Sequence, residues 1–380
     1  MNEELRQFFP IIKNYIYLNH AAITPYSTRV NASLAAIIND ITENGAVNWH
    51  NWLALIDQTR AAAARLIGAQ TEQIAFVGNT SDGLSAIANG IDWRAGDNIV
   101  SCDIEFPANV YPWMRLAKYG VELRQAHALD GRVIPDTLFA LVDSRTRLIA
   151  LSWVQYASGL RADLGTIGAF CREHNLLFVL DAIQGLGALQ LDVEADLVDA
   201  LTADSHKFLM GPEGLGLLFL SSRALAQVQP SVVGWMSVKE WWRCFDEKFD
   251  YQLDYLPGTL RFECGTPNTI GLHALHAALT LILEVGPARI ESYLLDLCDY
   301  LRAGLARLGF EQLLPKGRSE ASAIVCCRHP KHSPEEFYQA LIKRKIICAP
   351  RCGWLRISPH FYNSYTEIDT LLAALAELTS

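Results

Sequence analysis

The residue that most needs an explanation is Lys207, in the stretch "DALTADSHKFLMGPEGLGLLFL" (199–220). It stands between a histidine and an apolar run, and burying a lysine costs free energy unless its charge is removed or paired. A desolvated amine near other cations has a lowered pKa, and its neutral form attacks carbonyl carbon. Asp181, in "LLFVLDAIQGLG" (176–187), follows an apolar run directly. A carboxylate in such company needs a cation or a protonated ring nitrogen as partner. Gln184 follows it with an amide able to hydrogen-bond. Upstream, "GNTSDGLS" (78–85) puts Thr80 and Ser81 at a helix start. Hydroxyls and free backbone N–H groups there suit a phosphate, and the same residues also serve as an ordinary cap. Phe106, in "DIEFPANVYPW" (103–113), offers either a flat ring for stacking or a core side chain.

These residues need elements to hold them. "QIAFVG" (73–78), "DNIVSCD" (97–103), "TRLIALSWV" (146–154), "LLFVLDA" (176–182), the end of "DLVDALTAD" (196–204) and "GLGLLFLS" (214–221) read as strands. Continuous apolar strands separated by helical patterns predict an α/β fold with a mostly parallel sheet covered on both faces. In such sheets ligands bind outside the carboxyl ends of the strands, which is where the residues above fall. "GLGALQ" and "GPEGLG" do not fit a dinucleotide fingerprint, since the strand–turn–helix context is missing. A phosphate-binding turn, a stacking aromatic, a buried carboxylate and a poised lysine together are what pyridoxal phosphate requires.

At 380 residues two domains are expected. We place an N-terminal segment at 1–20, crossing to the small domain, a large cofactor-binding domain at 21–258, and a smaller C-terminal α/β domain at 259–380. The aromatic-rich 231–262 segment interrupts the regular pattern, and Gly234 and Trp235 fall in it. The chain is 51% hydrophobic and 19% charged, with a net charge of −9, so no nucleic-acid partner is expected. No apolar run reaches membrane-spanning length and no signal peptide is read, so no membrane partner and a cytoplasmic location are expected. Nine cysteines show no framework spacing and are expected to be reduced. Neither Cys348 with Cys352 nor His273 with His276 has zinc spacing and a further ligand, so no metal is expected.

The chain resembles the class V aminotransferase family of fold-type I pyridoxal-phosphate enzymes, a group that includes cysteine desulfurases, selenocysteine lyases and isopenicillin epimerase. The matching motifs are "YLNHAA", "GNTSDGLS", "SWVQYASGLRADL", "LDAIQGLGA", "DSHKFLMGPEGLG", "RFECGTPN" and "LRISPHFYN", in family order over nearly the whole chain. The resemblance implies a seven-stranded, mostly parallel sheet and a set of roles. Lys207 would form the Schiff base and move the Cα proton, and Asp181 would pair with the pyridinium nitrogen. Gln184 would bond the ring hydroxyl, and Phe106 would stack where many relatives place a histidine. Thr80, Ser81 and His206 would hold the phosphate, with Asp204 nearby. Thr266 would reach the phosphate of a neighbouring subunit, implying a homodimer. Arg356 would bind the substrate carboxylate bidentately, which suits a guanidinium, and Asn19 and Gln155 would lie near the substrate.

One departure matters for the reaction. Desulfurases carry a nucleophilic cysteine on a mobile loop well before the carboxylate-binding arginine. Here "ICAPRCGWLR" (347–356) is too short for that loop, and Cys352 is expected to pack in a turn with Gly353. The expected function is therefore Cα chemistry on an α-amino acid, as transamination or a related reaction, with direct C–S lyase or epimerase chemistry as alternatives. A non-catalytic dimer binding a phosphorylated ligand through Lys207 is the reading from outside the enzyme class.

Overall fold

The computed structural model describes residues 3–379. Its strands are β1 (Ile16–Tyr17), β2 (Ile74–Val77), β3 (Asn98–Cys102), β4 (Glu122–Ala126), β5 (Thr146–Ser152), β6 (Leu177–Asp181), β7 (Ala200–Asp204), β8 (Gly216–Leu220), β9 (Glu311–Gln312), β10 (Val325–Arg328), β11 (Ile346–Ile347), β12 (Ala349–Arg351) and β13 (Trp354–Ile357). Seven of them form one sheet in the order β2-β8-β7-β6-β5-β3-β4, in which β8 alone runs antiparallel to its neighbours. The α/β class and the seven-stranded, mostly parallel sheet agree with expectation. Strands β3, β5, β6, β7 and β8 are buried along almost their whole length, because helices cover both faces.

The chain leaves β3 toward β4 on one side and returns as β5 on the other. This switch point opens a crevice at the carboxyl edge. Register puts Ser152, Asp181 and Thr202 side by side along that edge. The helix Thr80–Gly90 packs closely on β7, where a Cβ added at Gly83 would lie 2.3 Å from Thr202 Oγ1.

A four-stranded antiparallel sheet, β12-β13-β10-β9, with the helices Pro334–Lys343 and Tyr365–Thr379 forms a second core around Phe310, Phe337, Leu355 and Ile368. Helix Thr269–Val285 is buried on most sides and packs on the helices Thr28–Asn44 and Trp49–Ile67, within the core of the large sheet. Helix Pro287–Arg307 joins the two cores, giving Ile290 and Leu294 to the first and Leu301 and Leu305 to the second. In the N-terminal segment β1 pairs with β11, and Leu18 sits in the second core; residues 1 and 2 lie outside the described residues.

Candidate active site

The carboxyl ends of β6 and β7, the start of helix Thr80–Gly90 and strands β12 and β13 line an open cavity of about 430 Å³. Asn79, Thr80, Ser81, Phe106, Tyr156, Asp181, Gln184, Asp204, His206, Lys207, Arg351 and Arg356 line it. Ten of these residues come from five separate motifs of the sequence, so the fold gathers most of the expected site.

Lys207 sits in the turn after β7. Thr24 N donates to His206 O at 2.8 Å, and Met210 N donates to Lys207 O at 3.0 Å. On the far side His360 Nε2 bonds Phe208 O at 2.9 Å, while Phe361 N donates to His360 Nδ1 at 2.8 Å. An Nδ1 that accepts leaves the proton on Nε2, so this imidazole is neutral with one fixed tautomer. Its burial, which pushes its pKa down to about 4, keeps it so. The lysine is thus held by the N-terminal segment on one side and the small domain on the other.

Burial lowers the Lys207 pKa to about 8, with Arg356 and Arg351 adding to the fall and Asp181 opposing it. Burial also raises the Asp181 carboxyl to about 7. Its Oδ1 accepts from Ile183 N at 3.0 Å, and no cation among the described residues reaches ion-pair distance. A buried carboxylate with no close cation is suited to a protonated ring nitrogen. A lysine with pKa about 8 is about one-tenth free amine at pH 7. The amine must be neutral to attack. The rate at which added pyridoxal phosphate condenses with the apoenzyme should therefore rise with pH up to about 8 and level off above it, as read by stopped-flow absorbance. A rate independent of pH between 6 and 9 would contradict the assignment.

The first turn of helix Thr80–Gly90 has Asn79 as N-cap, its Oδ1 accepting from Asp82 N at 3.0 Å. The N–H groups of Thr80 and Ser81, within the first four of the helix, have no partner inside it, and both residues line the cavity. Thr80 Oγ1 accepts from Asp204 N at 3.0 Å, so its own proton is left to give. His206 Nδ1 lies 2.9 Å from Asp204 Oδ1 off hydrogen-bond geometry, and both atoms are buried without a bond. Gln184 Nε2 donates to Ala21 O at 3.1 Å, while its Oε1 is buried and unpartnered. Orphaned buried polar atoms are rare in native proteins. Their gathering here beside a phosphate-type helix start fits pyridoxal phosphate: Thr80, Ser81 and His206 toward the phosphate, Gln184 and Asp181 toward the ring, Lys207 toward the aldehyde. Phe106 is 43% exposed, and Lys207 Nζ lies 5.7 Å from its ring centroid.

Arg356 is 2% exposed on β13. Its Nη1 donates to Tyr156 O at 3.0 Å, its Nε is unpartnered, and no carboxylate among the described residues pairs with it. Burial drops its pKa to about 10. A buried guanidinium without a counter-ion costs several kcal/mol, and a bidentate carboxylate ligand would offset that cost.

Three expected residues stand elsewhere. Asn19 pairs with Ser358, and Gln155 donates from Nε2 to Glu105 Oε1 at 2.6 Å; both lie outside the cavity wall. Thr266 is exposed beside a separate hollow with Gly78, Asp82 and Phe262, so it does not face the lysine of its own chain. Three further residues belong to the site. Glu105 is buried, accepting from Ser152 N (2.9 Å), Gln155 Nε2 and Asn109 Nδ2 (2.9 Å), and so ties the loop after β3 to the end of β5. Tyr156 and Arg351 stand on the cavity wall itself. A carboxylate inside "DIEFPAN" was the available signal for the first; the other two carry none in the sequence.

The family model described as "Aminotransferase class-V" matches residues 16–371. The chain belongs to that family. A probable cysteine desulfurase of Methanothermobacter thermautotrophicus is 26% identical, covering 99% of this chain and 98% of the relative. Two solved structures of C-DES are each 25% identical to this chain. A lysine-to-alanine mutant with glycine covalently linked to its PLP cofactor superposes with TM-score 0.89, covering 98% of this chain and 99% of that one. The complex of this cystine C–S lyase with its product cysteine persulfide gives 0.88, covering 97% and 99%. The protein is therefore a class V, pyridoxal-phosphate-dependent enzyme.

Proposed function

We propose that the enzyme is a direct C–S lyase, which eliminates the sulfur substituent of a cysteine-type amino acid, cysteine or cystine, to leave pyruvate and ammonia. The observation that carries this is the combination of Arg356, a buried guanidinium beside Lys207 with no carboxylate counter-ion among the described residues, with the hairpin that precedes it. Cys352 and Gly353 form a two-residue turn between β12 and β13 with φ of 49° and 79°. Both angles are left-handed, as such tight hairpin turns demand. A thiol fixed in this turn has no long loop to carry it. Pyridoxal phosphate, when bound, draws electrons from the bonds at the substrate Cα. Arg356 holds the carboxylate, Lys207 Nζ takes the Cα proton, and Asp181 opposes a positive ring nitrogen. Phe106 replaces a histidine with an apolar face, removing one acid–base group from the site. The solved cystine C–S lyase, similar over nearly the full length, supports the same reading.

The reading includes a homodimer in which Thr266, exposed and turned from its own lysine, completes the partner's phosphate site. The test is a panel of amino acids with the holoenzyme. Sulfide and pyruvate from cysteine or cystine support the proposal, whereas accumulation of a pyridoxamine form supports transamination. Cys352→Ser separates direct elimination from thiol capture. It keeps a hydrogen-bonding group in the turn, and pyruvate release should stay within about three-fold of wild type; a loss of two or more orders of magnitude would assign the thiol a covalent role.

A further inference from the structure

Elimination of a thiolate leaves a basic sulfur, and the apolar ring of Phe106 offers it no proton. Tyr156 stands on the wall of the same cavity. Its backbone oxygen accepts from Arg356 Nη1, so its main chain is tied to the guanidinium assigned to the substrate carboxylate. Its ring meets the edge of Phe106 with centroids 5.1 Å apart and planes at 75°, and Phe106 in turn lies over Lys207 Nζ. Among the described residues, the phenol oxygen's hydrogen-bond partner is Cys352 Sγ, at 3.4 Å. A sulfur atom is thus already accommodated against this hydroxyl. The charged groups around it are Arg351 on β12 and Arg356 on β13, both on the wall of the same cavity.

We propose that Tyr156 is a catalytic residue, the proton donor to the departing sulfur; this rests on the C–S lyase reading. Lys207 Nζ takes the Cα proton, and the electron pair left behind forms the Cα=Cβ double bond. The Cβ–S bond breaks with its pair on sulfur, and the Tyr156 O–H proton moves to that sulfur, giving hydrogen sulfide from cysteine or a persulfide from cystine. The phenolate regains a proton from the Lys207 ammonium through solvent. No oxidant or reductant enters. The bond to Cys352, with burial behind it, raises the phenol to about 12, so it carries its proton throughout the neutral range.

The test is Tyr156→Phe, assayed on two substrates. Cysteine expels a thiolate that gains from protonation, whereas 3-chloroalanine expels chloride, which needs none. The expected result is a fall of roughly 10²-fold in pyruvate release from cysteine, with the initial rate from chloroalanine within three-fold of wild type. Glycine has no leaving group, and its Kd, read from the absorbance change on binding, should stay within two-fold. An equal fall on both substrates would reduce Tyr156 to a structural residue and overturn the proposal, as would an unchanged rate on cysteine. The chloroalanine rate also reports folding and cofactor loading. If the wild type itself released no pyruvate from cysteine, the lyase reading would fail, an outcome distinct from either of these.

Discussion

Replacing Lys207 with alanine is expected to abolish covalent cofactor attachment and to lower pyruvate release by at least roughly 10³-fold, since both the nucleophile and the Cα proton acceptor are lost. The structure singles out this lysine because its charge is disfavoured by burial and by two arginines, while its backbone is fixed on both sides. Borohydride reduction of the wild-type holoenzyme, followed by peptide mapping, should place the pyridoxyl group on the peptide containing Lys207. The alanine variant should carry none. It should still bind the cofactor noncovalently, because Thr80, Ser81, Gln184 and Asp181 belong to other segments. A pyridoxyl group on another lysine, or a variant with near-normal turnover, would contradict the assignment.

Arg356→Leu is expected to cut kcat/KM for cysteine by roughly 10²–10³-fold, the range for removing one partner of a desolvated, hydrogen-bonded charge pair. Arg356→Lys should recover little of it, because an ammonium cannot reproduce the bidentate fork. The effect on stability should run the other way. Arg356 is buried with no carboxylate partner in the described structure, so exchanging it for an apolar side chain removes an uncompensated charge. The Tm of the ligand-free Leu variant should equal or exceed that of wild type. A structural arginine would give the opposite pair of results, a lower Tm with little change in kcat/KM.

Much of this site was legible in the sequence because its parts are local. Asp181 ends an apolar strand and Lys207 lies in the turn after the next one, and a polar residue at a strand's carboxyl end faces the crevice by topology. The helix start at Thr80 announces itself through Asn79 and Gly78. Strand β4 escaped the sequence reading for an equally physical reason. It is the edge strand, only Ala126 along it is buried, and "ELRQA" has no apolar run to detect. Helix Thr269–Val285 is apolar nearly all round. Such a pattern shows that a helix is buried but not in which core. Tyr156 was hidden differently. Its phenol meets Cys352 across 196 residues of chain, and Arg356 meets its carbonyl across 200. No spacing rule reports a contact made only when the small domain's hairpin folds over the switch point of the large sheet. Gln155, expected near the substrate, is turned away because Glu105 holds its amide.

These features converge on one chemical claim, that the sulfur leaves directly and no enzyme thiol takes it. The three-carbon product of cysteine tests it most plainly. Elimination removes sulfide with its electron pair and leaves pyruvate, whereas transfer of sulfur to a cysteine thiol returns the carbon skeleton as alanine. Holoenzyme incubated with cysteine should yield pyruvate and sulfide in equal amounts with only traces of alanine; alanine as the main product, with sulfur retained on Cys352, would contradict the account.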